Sequence, residues 1–204
     1  MKRRVVVTGI GALTPIGNNV NDTWKGILNH QCGIDLIQSF DTSNMKVKVA
    51  GELKNFEATE YLDKKDVRKM DKFIQYGLIA AKEAIKDSKL EIDSINHDRF
   101  GVVVSSGIGG LGSIEENHQR GLKKGFDRVS PYFIPMTIVN LAAGQIAIAF
   151  KAQGLATCPV TACAGGTNAI GDAFRNIRDG YLDVTIAGVA KQALHLLVLV
   201  VLHQ

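Results

Sequence analysis

An α/β fold follows from three features of this 204-residue chain. Short apolar runs at residues 3–8, 100–105, 155–160 and 184–187 have the length and composition of buried strands. Between them, apolar residues recur every three to four positions, as on the inner stripe of a helix. The run 155–160, a glycine-bearing turn, a helical pattern and the run 184–187 make a βαβ unit. Such units bind ligands at the carboxyl ends of their strands.

The first run is rich in valine and leads into a turn at 9–17. Lys2-Arg3-Arg4 imitates the start of a signal peptide, but Thr8, Gly9 and Gly11 interrupt the apolar stretch, which fits a first strand better. Gly9-Ile10-Gly11 lacks the third glycine of a dinucleotide fingerprint, since position 14 is Thr, so it reads as a tight turn. Asn21 or Asp22 is placed to cap a short helix carrying Trp24, Ile27 and Leu28. Residues 45–53 alternate like a strand. The charge-dense stretch 63–69 then leads into a long helix over 70–88. Its inner face is Phe73, Ile74, Gly77, Leu78, Ala81, Ala84 and Ile85. Spacings of three and four set Lys65 beside Arg68 and Lys69 on one helical face, where a solvated surface is the ordinary reading.

The strand 100–105 is followed by Gly107-Ile108-Gly109-Gly110-Leu111-Gly112, which satisfies G-x-G-x-x-G, and Asp127 lies at about the distance of a ribose-binding acid. A dinucleotide site also needs an amphipathic crossover helix. Residues 113–127 supply Glu115, Glu116, His118, Arg120, Lys123 and Lys124 with almost no apolar stripe, so they predict a surface helix and the reading is set aside. Residues 130–136, with two prolines and two aromatics, predict a rigid loop that projects side chains. Residues 137–150 are small and apolar on most sides, as in a deeply buried helix.

Chemistry concentrates at Val160-Thr161-Ala162-Cys163-Ala164-Gly165-Gly166-Thr167-Asn168. Small neighbours and the Gly-Gly pair allow a sharp turn and a close approach to the thiol. Cys163 then falls at a helix N-terminus, where free N–H groups and the macrodipole favour an anion and so the thiolate. The following stripe is Ala169, Ile170, Ala173, Phe174 and Ile177. A buried structural cysteine is the usual alternative, but it needs no such turn. His30, His97 and His118 lie in polar surroundings and read as surface residues.

This segment resembles the nucleophile segment of the β-ketoacyl-[acyl-carrier-protein] synthases, specifically the elongating condensing enzymes of bacterial fatty-acid synthesis. The likeness also includes Thr8 to Gly17, Ser105-Ser106-Gly107-Ile108-Gly109-Gly110 and Pro131-Tyr132-Phe133-Ile134-Pro135-Met136. It implies a thiolase-like α/β fold: a mixed five-stranded sheet with helices on both sides, the first of two pseudo-repeats. The implied reaction is a decarboxylative Claisen condensation with Cys163 as the acyl-carrying nucleophile and its amide in the oxyanion hole. Ile108 and Phe133 are implied acyl-pocket residues, the latter on a loop that crosses the family's dimer interface. Lys65, Arg68 and Lys69 match a basic patch that docks acyl carrier protein. No metal or redox cofactor is implied; the implied partners are acyl- and malonyl-loaded carrier protein and a second copy of the chain. A polyketide-pathway ketosynthase and a non-catalytic fragment that binds carrier protein are the alternatives.

The likeness stops after Gly188. Family members continue with a Gly-Thr-Glu stretch and an Ile-Thr-Pro-Leu-Gly segment, whereas this chain has Val189-Ala190-Lys191-Gln192 and a Leu/Val/His run. Residues 192–204 admit a coding string that, shifted by two bases, reads Gly-Ile-Thr-Pro-Leu-Gly-Ile-Gly-Gly-Phe-Ala-Ser. The expected organisation is a ketoacyl-synthase domain over 1–188 and a frameshifted tail over 189–204. The family's second half holds two catalytic histidines, a supporting lysine and an oxyanion-hole amide. His195 and His203 match neither histidine, so the chain alone is expected to condense little or nothing and to fold poorly.

Composition narrows the remaining classes. The formal net charge of +4 is too small to argue for nucleic acid. The 3 cysteines are scattered, which suits a reducing cytoplasm and no disulfide framework. The longest apolar run near the end, residues 196–202, is far short of the roughly 20 residues of a spanning helix, so no membrane partner is expected.

Overall fold

The structure is a computed structural model that describes residues 3–191 in full and residues 197–203 as backbone. β1 (Val6–Leu13) continues through Gly9 and Gly11, with one register shift between Val7 and Gly9. The expected turn is confined to residues 14–17, where Thr14 and Gly17 exchange hydrogen bonds of 2.9 and 3.1 Å. The two glycines serve packing instead. A Cβ at Gly9 would lie 2.1 Å from the Ala84 carbonyl oxygen, and one at Gly11 would lie 1.9 Å from that of Ala80. A helix backbone rests directly on the strand there.

α1 (Val20–Leu28) starts earlier than its expected caps: Asn19 accepts from the Asp22 N–H at 2.8 Å. Trp24, Ile27 and Leu28 are exposed on it. Only 49–51 of the expected strand 45–53 is extended; β2 (Ile34–Leu36) and β3 (Val49–Gly51) form a small antiparallel ribbon of their own. α2 (Lys64–Val67) is a single turn capped by Asp63, and α3 (Lys72–Ser88) begins anew at the cap Asp71. All seven predicted inner-face residues of α3 are buried, together with Gln75, Tyr76, Ile79 and Ala80. β4 (Phe100–Ser105) is buried throughout, as its apolar run demands.

α4 (Leu111–Lys124) turns only Ser113, Asn117 and Gly121 inward and is the surface helix that its charges predict. α5 (Phe133–Thr137) is a short helix where a projecting loop was expected. α6 (Leu141–Ala149) buries Ala142, Ala143, Ile146 and Ala147 but leaves Ile148 exposed, so it is covered on one side only. β5 (Ala156–Thr157), α7 (Gly165–Arg178), β6 (Val184–Val189) and β7 (Leu197–His203) complete the chain.

The main sheet has the order β1-β7-β6-β4-β5, with β4 parallel to β5 and β6, and β7 antiparallel to β6 and β1. Side chains alternate across it. Phe100, Val102, Val104, Val184 and Ile186 join α3 and α6 in one core, whereas Val103 and Ala187 join Ala169, Ala173 and Ile177 of α7 in another. The expected mixed five-stranded sheet with helices on both sides is the observed one.

Within this sheet β7 alone connects β1 to the other strands. The free edge of β1 is covered by acids of α3: the Ile10 N–H donates to Asp87 and the Ala12 N–H to Glu83, each at 2.9 Å. At the amino ends of β4 and β6, Asp183 accepts from Arg99 at 2.6 and 2.7 Å and from Arg3 at 2.9 Å. The Arg99 hydrogen bonds, more than its charge, hold the Asp183 carboxyl below the usual carboxylate range.

Candidate active site

β4, β5 and β6 are parallel, so their carboxyl ends deliver three segments to one edge of the sheet: residues 105–110, 158–163 and 189–191. Cys163 stands on the middle segment, in the 3-10 turn Ala162–Ala164 that runs into α7, and its thiol is free and exposed. The turn is strained in an instructive place. Ala162, not a glycine, adopts φ +49, a left-handed conformation that costs an alanine energy and needs outside support. Two donors supply it: the Ala162 carbonyl accepts from the Gly165 N–H and, at 3.0 Å, from Lys191 Nζ. Among the described residues nothing accepts from the Cys163 N–H, which leaves that amide available to a ligand.

The glycine pair therefore has a different task from the sharp turn expected of it. Gly165 has helical angles, φ −54 and ψ −41. A Cβ on it would lie 2.0 Å from Ser105 Oγ, and a Cβ on Gly166 would lie 3.2 Å from Val189 Cγ1. Both glycines let the first turn of α7 descend onto the ends of β4 and β6. The stripe behind them buries Ala169, Ala173 and Ile177, with Ile170 half-buried; Phe174 is exposed and lies under the Arg178 guanidinium. Among the described residues no side chain caps α7, and no acid stands in its first turn, so its own side chains do not neutralise its positive end.

The second cysteine of this edge is of another kind. Cys158 is half-buried, accepts from the Ser106 N–H at 3.3 Å and donates to the Val139 carbonyl at 3.4 Å. Burial pushes its thiol up, against the opposing pull of the Ser106 N–H. Of the two cysteines at this edge, Cys163 is exposed and Cys158 is tied into packing.

The G-x-G-x-x-G segment has no room for a pyrophosphate. A Cβ on Gly110 would lie 2.2 Å from the Met136 carbonyl oxygen. The N-terminus of α4 is already occupied by the buried carboxylate of Asp71, which accepts from the Ser113 N–H at 3.2 Å and its hydroxyl at 2.6 Å. Asp71 also caps α3 and so ties the two helix starts together. It lies just past the charge run, where nothing in the sequence marked it.

Lys65, Arg68 and Lys69 are all exposed, but α2 ends at Val67, so they do not share one continuous helical face. Lys65 and Arg68 stand one turn apart; Lys69 lies beyond the end of α2, 3.8 Å from Asp66 and over the ring of Tyr132. Ile108 is exposed beside the nucleophile edge. Phe133 is half-buried and lines an apolar cavity of about 470 Å³ with Ile114, Asn117, His118, Phe126 and Val129. Ile108 is not among the residues that line this cavity. His30 and His118 are exposed and His97 faces the Lys151 carbonyl at 2.9 Å, so no described histidine is hydrogen-bonded to the nucleophile turn. His195 and the His203 side chain lie outside the described residues. Among the described residues no helix is long and apolar enough to cross a membrane.

A free, exposed cysteine on a strained turn, at the carboxyl edge of parallel strands and the start of a helix, marks the candidate site on this α/β sheet. The family model described as "Beta-ketoacyl synthase, N-terminal domain" matches residues 2–204, and the chain belongs to that family. It is 46% identical over 193 residues to 3-oxoacyl-[acyl-carrier-protein] synthase 2 of Synechocystis, covering 95% of this chain and 46% of the relative. It is 48% identical over 186 residues to the Staphylococcus aureus protein of the same name, covering 91% and 45%. The chain thus spans about half the length of these curated relatives.

Solved ketosynthases share the fold. The ishigamide ketosynthase/chain length factor matches with a TM-score of 0.88 at 23% identity, over 100% of this chain and 59% of that one. A type II PKS ketosynthase in complex with its acyl-carrier protein matches with 0.83 at 23%, over 100% and 63%. A β-ketoacyl synthase from Burkholderia phymatum matches with 0.82 at 20%, over 100% and 59%. The thiolase-like fold is thereby shown.

Proposed function

We propose that this chain is the nucleophile-bearing half of a 3-oxoacyl-[acyl-carrier-protein] synthase of fatty-acid elongation, a cytoplasmic acyltransferase. The Cys163 thiolate attacks the thioester carbonyl of an acyl-loaded carrier protein, forming the Cys163–acyl thioester and releasing the carrier thiolate. Malonyl-loaded carrier protein then loses carbon dioxide. The resulting carbanion attacks the Cys163 thioester, the carbon–sulfur bond breaks, and the Cys163 thiolate leaves a 3-oxoacyl chain longer by two carbons. The Cys163 N–H, which has no acceptor among the described residues, holds the oxyanion in both additions. The 46–48% identity to synthases with fatty-acid names supports this reading over a polyketide one.

The observation that carries the proposal is the exposed, free thiol of Cys163 at the start of α7, with an amide that has no acceptor among the described residues. Transfer to the thiol needs only this half; decarboxylation needs the histidines that the resemblance assigns to the second. Lys65 and Arg68, with Lys69, dock the acidic carrier protein, and Ile108 and Phe133 contact the acyl chain, Phe133 from the other protomer of a homodimer. Residues 189–204 remain, on this reading, the product of a shifted frame after domain 1–188. The nucleotide sequence from codon 189 onward tests that: absence of a shifted frame encoding the family's continuation refutes it.

Radiolabelled acyl-carrier protein tests the central claim. Label is expected to pass to the chain and to be lost in Cys163→Ser, with no 3-oxoacyl product from added malonyl-carrier protein. Labelling that survives Cys163→Ser refutes the assignment. Lys65→Glu with Arg68→Glu should weaken carrier binding without changing alkylation of Cys163 by iodoacetamide.

A further inference from the structure

β1 ends the main sheet, so one row of its N–H groups has no strand to meet. Two of that row, those of Ile10 and Ala12, donate to Asp87 Oδ2 and Glu83 Oε2 of α3, each at 2.9 Å. The other oxygen of Glu83 accepts from the Val20 N–H at 2.9 Å, at the start of α1.

The fit is one of repeats. Outward N–H groups on one side of an antiparallel strand are two residues, about 6.8 Å, apart. Residues four apart on a helix share a face and are separated by about 6 Å along its axis. α3 runs antiparallel to β1: Ala84 rests on Gly9 and Ala80 on Gly11, while Asp87 reaches Ile10 and Glu83 reaches Ala12. The bare glycines bring the helix backbone against the strand, close enough for the short side chain of Asp87 to reach its edge. The two carboxylates thereby occupy the places that the carbonyls of a neighbouring strand would take.

Without them the edge is adhesive. Val7 and Ile10 are exposed on β1, both are strand formers, and neither lysine nor proline interrupts its eight residues. Among the described residues neither Glu83 nor Asp87 makes a salt bridge. Their charge therefore repels an incoming edge that is itself lined by acids, and the same edge of another copy is lined in this way.

We propose that Glu83 and Asp87 form a strand surrogate that holds the β1 edge shut, and that the partner this edge fits once they are removed is the β1 edge of a second copy, paired antiparallel about a two-fold axis.

Sedimentation velocity and amide hydrogen exchange of the full chain test this. With Glu83→Ala and Asp87→Ala together, the amides of Ile10 and Ala12 should exchange about tenfold or more faster at low concentration, because hydrogen bonds to charged groups are the stronger ones. At higher concentration this variant should associate further than the unaltered chain, and residues 6–13 should become protected again. Glu83→Gln with Asp87→Asn keeps an acceptor oxygen at both positions and should raise exchange less. Ile10→Lys added to the double alanine variant puts a charge on the opened edge and should return the sedimentation coefficient to that of the unaltered chain. Exchange and association unchanged in the double alanine variant overturn the proposal. So does association that leaves residues 6–13 unprotected or persists with Ile10→Lys, since unfolding and not strand pairing then drives it. Where the double variant does not fold, Asp87→Ala is read alone by the same criteria, because it leaves Glu83 on Ala12 and Val20.

Discussion

Replacing Gly165 by alanine sets two expectations of opposite sign against each other. The residue has right-handed helical angles, so helix propensity alone predicts a gain of about 0.5–1 kcal/mol. The space around it predicts a loss. The added Cβ would stand 2.0 Å from Ser105 Oγ and 2.9 Å from Ser105 Cβ, and Ser105 is fully buried at the end of β4. Neither atom can yield into solvent, so α7 must lift or β4 must shift. Overpacking of that kind costs about 1–3 kcal/mol, which outweighs the propensity and leaves a net loss of roughly 1–2 kcal/mol. Ser105 Oγ has no hydrogen-bond partner among the described residues, so Ser105→Ala alone should be neutral or slightly stabilising. Combined with Gly165→Ala it should recover about 1 kcal/mol, because the shorter contact is gone. Urea unfolding followed by far-UV circular dichroism gives all four corners of the cycle, with the midpoint moving at constant slope. Stabilisation by Gly165→Ala, or strict additivity with Ser105→Ala, refutes the claim that this glycine exists for close packing of α7 on β4.

Two further perturbations probe the frame. Gly11→Ala places a Cβ 1.9 Å from the Ala80 carbonyl oxygen, a backbone atom with no rotamer to offer, so it should cost more than Gly165→Ala, about 3 kcal/mol or above; a urea midpoint within error of the unaltered chain would contradict the packing of α3 on β1. Asp183→Asn removes a carboxylate held low first by the Arg99 hydrogen bonds and then by Arg3. Its stabilisation is present above the unfolded value near 4 and lost as pH falls through the lower folded value. The variant should therefore be less stable at pH 7 by on the order of 1 kcal/mol after screening, and the gap should close below pH 4; a gap as wide at pH 3 as at pH 7 would exclude this linkage.

How far the sequence foretold this structure depends on which contact decided each element. β4 and α3 were legible because burial decided them: an unbroken apolar run makes a buried strand, and the stripe from Phe73 to Ile85 faces the core. The turn at Cys163 and the helix after it were legible because its neighbours are small and a helical pattern follows. What escaped was decided by partners distant in sequence. Gly9 and Gly11 look like a turn until Ala80 and Ala84 are laid on them, and Gly165-Gly166 looks like a sharp bend until the ends of β4 and β6 are seen beneath. The break between α2 and α3 escaped because Asp71 caps α3 while also accepting from Ser113, 42 positions away.

Lys191 escaped for a related reason. Nothing in its local context points to the Cys163 turn, and only the parallel pairing of β4 with β6 carries it to the Ala162 carbonyl. The same topology bears on the run that follows. β7 pairs with β1 from Val6↔His203 to Leu13↔Leu197 and with β6 from Val184↔His203 to Gly188↔Leu199. A segment with two paired edges must be extended and rich in strand formers, and a Leu/Val run has that composition whatever reading frame produced it. Coding origin and structural use are therefore separate questions. A tail of any coding origin with this composition joins β1 to its sheet, because strand pairing asks only for backbone and suitable side chains, whereas catalysis asks for particular side chains at particular places.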